Sequence, residues 1–388
     1  MKPYADRLGR IRGEGALEVL ARAMALEAQG REIIHMEIGE PDFDTPRTIV
    51  DAAKQALDDG YTHYTPAAGL TEVRQTIADY VAETRSIPVG PENVVIVPGG
   101  KPIIFYAVLA LVNAGEEVVY PDPGFPAYES MIAFVSGRAV PMPLREERGF
   151  SFDPDEFASL VNRNTKLIIL NSPGNPTGGV MSHADLQVVA ELAERYDCWI
   201  LSDEIYSRII YDGAFGSVAT LPGMQERTII LDCFSKTYAM TGWRLGYGVM
   251  PLELAQGMTR LMINSNSCTA AFTQMAGVAA LKGDQRPVTE MVTEFRRRRD
   301  AIVSGLNGLP GITCLQPKGA FYVFPNVSAL GQSEREIANA LLDEVGVATL
   351  PGTAFGECGR GYLRMSYATS LEDIQKALAR MREWLESR

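Results

Sequence analysis

Five short apolar runs, at 94–97, 117–120, 166–170, 198–202 and 228–232, recur through the middle of the chain with helix-length segments between them. Runs of four or five residues are too short for buried helices and fit strands covered on both faces. Strand and helix in alternation are the sign of a largely parallel sheet sandwiched by helices. The run at 94–97 passes through Pro98-Gly99-Gly100 into an apolar helical segment, Ile103 to Leu109. The run at 117–120 leads through Pro121-Asp122-Pro123-Gly124 into another helix. The expected class is therefore α/β, and 388 residues allow two or three domains.

The chemistry is carried by the segments just beyond three of these runs. After 166–170 comes Asn171-Ser172-Pro173-Gly174-Asn175-Pro176-Thr177-Gly178-Gly179, whose prolines and glycines belong to neither strand nor helix. It reads as a tight loop at the carboxyl end of a strand, the edge where open α/β sheets bind ligands. Asn-Pro also forms turns with no ligand in view. After 198–202 come Asp203-Glu204-Ile205-Tyr206, a carboxylate and then a phenol delivered to the same edge. After 228–232 come Ser235-Lys236 and then Thr241-Gly242-Trp243-Arg244-Leu245-Gly246. Far downstream, the alternating run Gly361-Tyr362-Leu363-Arg364-Met365-Ser366-Tyr367 places an arginine where burial without an anionic partner would be costly.

Lysine at a strand exit can form an imine with an aldehyde, and a hydroxyl and an arginine beside it can hold a phosphate. Pyridoxal phosphate needs both services. Asp203 suits the pyridine nitrogen, which a neighbouring carboxylate keeps protonated. Tyr206 and Asn175 suit the ring's 3-oxygen as hydrogen-bond donors. Arg364 can grip a carboxylate by two parallel hydrogen bonds. Gly99-Gly100-Lys101 at a helix start offers backbone amides to a phosphate, although two glycines alone are a weak sign.

In these motifs, and over nearly the whole length from Gly39-Glu40-Pro41-Asp42-Phe43 to the final helix, the chain resembles the class I/II aminotransferases. These are pyridoxal phosphate enzymes of fold type I, and the resemblance is to the bacterial aspartate or aromatic subgroup. It implies a large domain with a mostly parallel sheet between helices, plus a small α/β domain. It implies Lys236 as the Schiff-base lysine, Asp203 as the ring-nitrogen partner and Arg364 as the clamp on the substrate α-carboxylate. Tyr206 and Asn175 fall on the ring oxygen, Ser235 and Arg244 on the phosphate, and Gly99, Gly100 and Lys101 on the third part of the phosphate cup. Phe125, in Pro123-Gly124-Phe125-Pro126, matches the ring that stacks on the cofactor. Gly39, Lys101 and Asn175 join Arg364 around the substrate.

Tyr64 matches a tyrosine that reaches the phosphate of a neighbouring subunit, which implies a homodimer with shared sites. Lys101 also matches the place where some relatives read a distal carboxylate; the alternative is a partly exposed helix residue. One departure from the pattern is Cys233, where many relatives have a serine on the phosphate. A thiol is a weak donor, so Cys233 reads as a small packed residue. The implied activity is transfer of an amino group from an L-amino acid, aspartate among the candidates, to a 2-oxo acid such as 2-oxoglutarate. A carbon–sulfur β-lyase would use the same lysine and aspartate. A ligand-binding relative without catalysis is the remoter alternative.

The remaining sequence bounds these readings. A net charge of −12 argues against a nucleic-acid partner, and no run reaches the roughly 18 apolar residues of a membrane span. Five cysteines without paired metal spacing suit a reducing compartment. With no signal-peptide core in the first residues, the expected compartment is the cytoplasm. Three scattered histidines make no metal cluster: His35 reads as packed, His183 as a surface residue. Residues 48–282 read as the cofactor domain, with 1–47 and 283–388 as a discontinuous small domain. Helices are expected at 16–29, 333–344 and 371–385, and a strand at 32–36. The run Arg296-Arg297-Arg298-Arg299 reads as a solvated or salt-bridged helix face, and Tyr322 and Phe324 as core.

Overall fold

The five apolar runs all become strands of one sheet. The computed structural model describes residues 4–11, 13 and 15–388; Met1 to Pro3, Arg12 and Glu14 of the expected N-terminal segment lie outside the described residues. A helix, Gly15–Glu27, leads to the two-residue strand β1 (Ile34–His35) and then to the helices Arg47–Asp58 and Thr71–Arg85. The large sheet comes next: β2 (Val94–Val97), β3 (Glu117–Asp122), β4 (Arg138–Arg145), β5 (Ser151–Phe152), β6 (Thr165–Asn171), β7 (Trp199–Asp203), β8 (Thr228–Cys233) and β9 (Gly246–Val249). Its order is β2-β9-β8-β7-β6-β3-β4-β5. β4, β3, β6, β7 and β8 pair in parallel, β9 runs antiparallel to both β8 and β2, and β5 runs antiparallel to β4. Five parallel carboxyl ends and that of β2 therefore open on one edge.

Burial on both faces explains why the runs are continuous. Leu167 and Ile169 pack with Ile103, Ile104 and Val108 on one face, while Ile168 and Leu170 join Leu186 and Val189 on the other. Each such side chain contributes about 1.5–3 kcal/mol when fully buried. Polar residues accordingly gather towards the strand ends, as with Ser202 and Asp203 in β7 and Asp232 in β8.

The chain then turns to a smaller set of strands. β10 (Tyr322–Val323), β11 (Val347–Ala348), β12 (Leu350–Pro351) and β13 (Leu363–Ser366) form an antiparallel β10-β13-β12 sheet, with β11 paired in parallel to β1. The helices Arg286–Asn307 and Leu371–Glu386 share a core with it through Phe295, Ile302, Phe321, Tyr367 and Ile374.

Three expectations need adjusting. The strand expected at 32–36 pairs only over β1. The helix expected at 333–344 is α-helical over Glu334–Ala340 and widens to a π turn over Leu341–Val345. The four-arginine run is salt-bridged but only partly solvated. Arg298 and Arg299 are buried: Arg298 pairs with Glu294 one turn back on its own helix at 3.0 Å and with Asp42 of another segment at 2.7 Å, and Arg299 pairs with Asp212.

Candidate active site

Chain order reverses between β3 and β6, so their neighbouring ends leave a crevice. Phe125 follows β3, Asn175 follows β6, Tyr206 follows β7 and Lys236 follows β8. A cavity of about 450 Å3 occupies this crevice, and Arg364 of β13, in the smaller sheet, also lines it. Gly39, Gly100, Lys101, Phe125, Asn175, Asp203, Tyr206, Ser235, Lys236, Arg244 and Arg364, distant in sequence, all line it.

Asn171 holds the crevice wall together. It lies opposite Asp203 in the β6–β7 ladder. Its amide donates to the Asp203 carbonyl at 3.2 Å, and its side-chain oxygen accepts the Asn175 N–H at 2.8 Å. One side chain thus fixes the loop to the next strand. The local sequence marks Asn171 only as the first residue of a turn.

Asp203 is buried, and burial pushes its pKa up to about 7 against two hydrogen bonds that favour the anion. Those bonds come from the Tyr128 hydroxyl at 2.6 Å and the Ile205 N–H at 3.3 Å. A carboxylate held near neutrality in a dry pocket is poised to share a proton with a basic nitrogen. Tyr128 is another residue that the sequence alone does not single out. It lies one helical turn beyond Phe125, whose ring meets the Tyr128 ring edge-on at 5.8 Å.

Lys236 donates to the Gly39 carbonyl at 2.5 Å. The Tyr206 hydroxyl meets that of Tyr322 at 2.8 Å. Tyr322 is buried, as a core residue should be, yet its ring also walls the cavity, so it is more than core. Its hydroxyl stands where a Cβ on Gly39 would come within 2.0 Å, which explains a glycine at position 39. The Arg364 guanidinium lies between the rings of Tyr322, at 4.7 Å, and Phe355, at 5.0 Å. It donates to the Asn175 side-chain oxygen at 3.4 Å and to the Glu37 carbonyl.

Gly100, Ser235 and Arg244 line the same cavity. Gly99 has φ +83° and stands just before the helix Lys101–Leu111, whose N-cap Gly100 and first residue Lys101 line the cavity. Arg244 is exposed and donates to the Thr241 carbonyl at 2.8 Å. Ser235 and Cys233 are buried beside it. Cys233 packs as expected but also lines the cavity, within 3.8 Å of where a Gly100 Cβ would be. The Lys101 ammonium reaches over the Phe125 ring at 5.4 Å, at the rim. Gly99 backs Arg244 without lining the cavity itself. Tyr64 is the residue that the single chain does not bring in: it is 89% exposed and outside the cavity.

This geometry has close counterparts. The family model for aminotransferase class I and II matches residues 31–381. An aspartate aminotransferase of Pyrococcus horikoshii is 41% identical over 386 residues, covering 98% of this chain and 97% of its own. An aromatic-amino-acid aminotransferase of Thermococcus litoralis is 40% identical, covering 93% and 94%. The solved structure of Thermus thermophilus aspartate aminotransferase with maleate superposes with a TM-score of 0.95 at 35% identity, covering 99% of this chain and 100% of that one. The chain belongs to the class I and II aminotransferase family. It is a pyridoxal phosphate-dependent aminotransferase of fold type I.

The residues present fit that cofactor. A glycine leaves room for the Arg244 guanidinium, which would suit the phosphate, a near-neutral carboxylate sits in the buried wall, and the Lys236 amine and Arg364 line the same cavity.

Proposed function

We propose that this chain transfers the amino group of an L-amino acid to 2-oxoglutarate in a ping-pong cycle, with acidic amino acids as preferred donors and neutral ones tolerated. The observation that carries this reading is the meeting of a lysine amine, a buried carboxylate and a buried guanidinium around one cavity. Pyridoxal phosphate, when bound, supplies an aldehyde that condenses with amines and a ring that takes up the electron pair left at the substrate Cα.

In this reading Asp203 shares its proton with the ring nitrogen. Asn175 and Tyr206 donate to the ring oxygen, and Phe125 stacks on the ring. Ser235, Arg244 and the amides at Gly99, Gly100 and Lys101 hold the phosphate. Arg364 grips the substrate α-carboxylate with two parallel donors, beside Asn175 and Gly39. Lys236 Nζ would anchor the cofactor through its aldehyde carbon and, when free, would take the substrate Cα proton as general base and return it to that carbon. Lys101 reads a distal carboxylate; the position of its ammonium over the Phe125 ring beside the cavity supports this. Its flexible stem can swing aside for apolar donors.

The same proposal assigns residues 48–282 to a large cofactor-binding domain and 1–47 with 283–388 to a small discontinuous one. It assigns Tyr64 to the phosphate site of a second copy, in a homodimer. Five free cysteines support the cytoplasm as the compartment. Mixed with an amino donor and no oxo acid, the enzyme should release one equivalent of 2-oxo acid per site and stop. Continuous release of pyruvate and ammonia would make it a carbon–sulfur lyase instead.

A further inference from the structure

Behind the cavity lies a second cluster of charge that these steps do not touch. Arg85, Glu204 and Asp232 are 4%, 1% and 4% exposed, and none of them lines the cavity. Arg85 ends the helix Thr71–Arg85, Glu204 follows β7, and Asp232 lies in β8. Arg85 Nε donates to Glu204 Oε2 at 3.1 Å. Its Nη2 donates to Asp232 Oδ2 at 3.2 Å and to Ser207 Oγ at 3.1 Å. The other lone pairs are also taken. Glu204 Oε1 accepts from Ser202 at 2.9 Å and Ser217 at 2.5 Å, and Asp232 accepts from Tyr247 at 3.3 Å and the Cys233 N–H at 2.7 Å.

Stability alone is a weak reason for such a trio, since apolar groups of similar volume often pack as well or better in its place. Its location suggests another. Glu204 adjoins Asp203, Ser207 adjoins Tyr206, and Asp232 lies in the strand that leads into the short helix Phe234–Thr237 carrying Lys236. The ladder between β7 and β8 ends with the Glu204 N–H on the Leu231 carbonyl at 2.8 Å. Beyond that bond the two segments part, one towards Tyr206 and the other towards Lys236. The Arg85 guanidinium bridges the parting. A planar fork with five donors can hold three acceptors at once, which a lysine ammonium on its flexible stem does poorly.

We propose that Arg85 is a positioning residue for the reaction: through Glu204, Ser207 and Asp232 it sets the spacing of Asp203, Tyr206 and Lys236. The inference rests on the roles given above to those three residues. A misplacement of about 1 Å at such groups costs on the order of a hundredfold in rate.

The test uses the holoenzyme and the triple variant R85M/E204Q/D232N, which keeps volume and leaves no unpaired charge. Its melting temperature should stay near that of the parent. The dissociation constant for pyridoxal phosphate should rise at least tenfold, and kcat should fall at least tenfold with little change in the donor KM. A folded triple variant with parental cofactor affinity and kcat overturns the proposal and leaves the trio as core filling. Should the triple variant fail to fold, Arg85→Lys decides: it keeps the charge but not the fork, and unchanged cofactor affinity and kcat would again overturn the claim. Lys236→Ala serves as the control. If it keeps the visible absorbance of the holoenzyme and its turnover, the assigned roles are at fault rather than the positioning.

Discussion

Gly99 and Arg244 occupy one space between them: a Cβ on Gly99 would stand 2.0 Å from an Arg244 guanidinium nitrogen. Gly99 also has φ +83°, where L side chains are strained. Gly99→Ala should therefore displace Arg244 and weaken cofactor binding about ten- to a hundredfold, the loss of one or two charge-assisted hydrogen bonds. Equilibrium dialysis of pyridoxal phosphate measures it. Parental affinity in the alanine variant would remove Arg244 from the phosphate site.

Lys236→Ala should abolish the visible absorbance of the bound cofactor and lower kcat by roughly 10⁴-fold or more, since general-base catalysis alone supplies about 10²–10⁴. Absorbance spectra and steady-state rates on the same preparation check both halves of the claim.

Lys101→Ala should lose kcat/KM for aspartate about ten- to a hundredfold, or roughly 1.4–2.7 kcal/mol, and much less for alanine or phenylalanine. A donor panel at fixed 2-oxoglutarate decides it. Equal losses for aspartate and alanine would assign Lys101 to cofactor positioning.

Tyr64 is exposed and outside its own chain's cavity. An effect of Tyr64→Phe on cofactor affinity would therefore have to come from a second copy. Sedimentation at micromolar concentration should give about twice the 42.4 kDa chain mass. A catalytically competent monomer would defeat the shared site.

Burial raises the Asp203 pKa from 3.8 to about 7, so the folded protein without cofactor holds a proton that the unfolded chain loses. Stability from this group is complete below about pH 4 and is lost as pH rises to about 7, with an upper bound of about 4 kcal/mol. Asp232, pushed by burial to about 6, acts with the same sign. The melting temperature of the cofactor-free protein should fall between pH 5 and pH 8. Asp203→Asn should flatten the part of that slope nearest neutrality, and a parental slope in this variant would disprove the assignment.

Much of the site is legible in the sequence because its residues sit where apolar runs stop. Asn175, Asp203, Tyr206 and Lys236 each come after a run long enough to read as a strand, and parallel strands bring such ends together. Tyr128, Asn171 and Arg85 give no comparable signal. Each matters through a partner 75, 32 and 119 positions away, in Asp203, Asp203 and Glu204 respectively, and nothing in the local pattern records that distance. β9, Gly246-Tyr247-Gly248-Val249, is hidden in the sequence because two glycines mask its strand character. Gly248 nonetheless fits closely, since a Cβ there would meet the side-chain ends of Ile103 and Met250 at 2.8 and 2.6 Å.

The Tyr206–Tyr322 pair carries a further consequence. Two hydroxyls share two protons but need only one to bond to each other. If Tyr206 donates, the proton of Tyr322 is left over; if Tyr322 donates, that of Tyr206 is. Both rings wall the same cavity. An electron-rich oxygen entering it meets a spare donor in either arrangement, and rotation of the two O–H bonds moves that donor from one ring to the other without any side chain changing place.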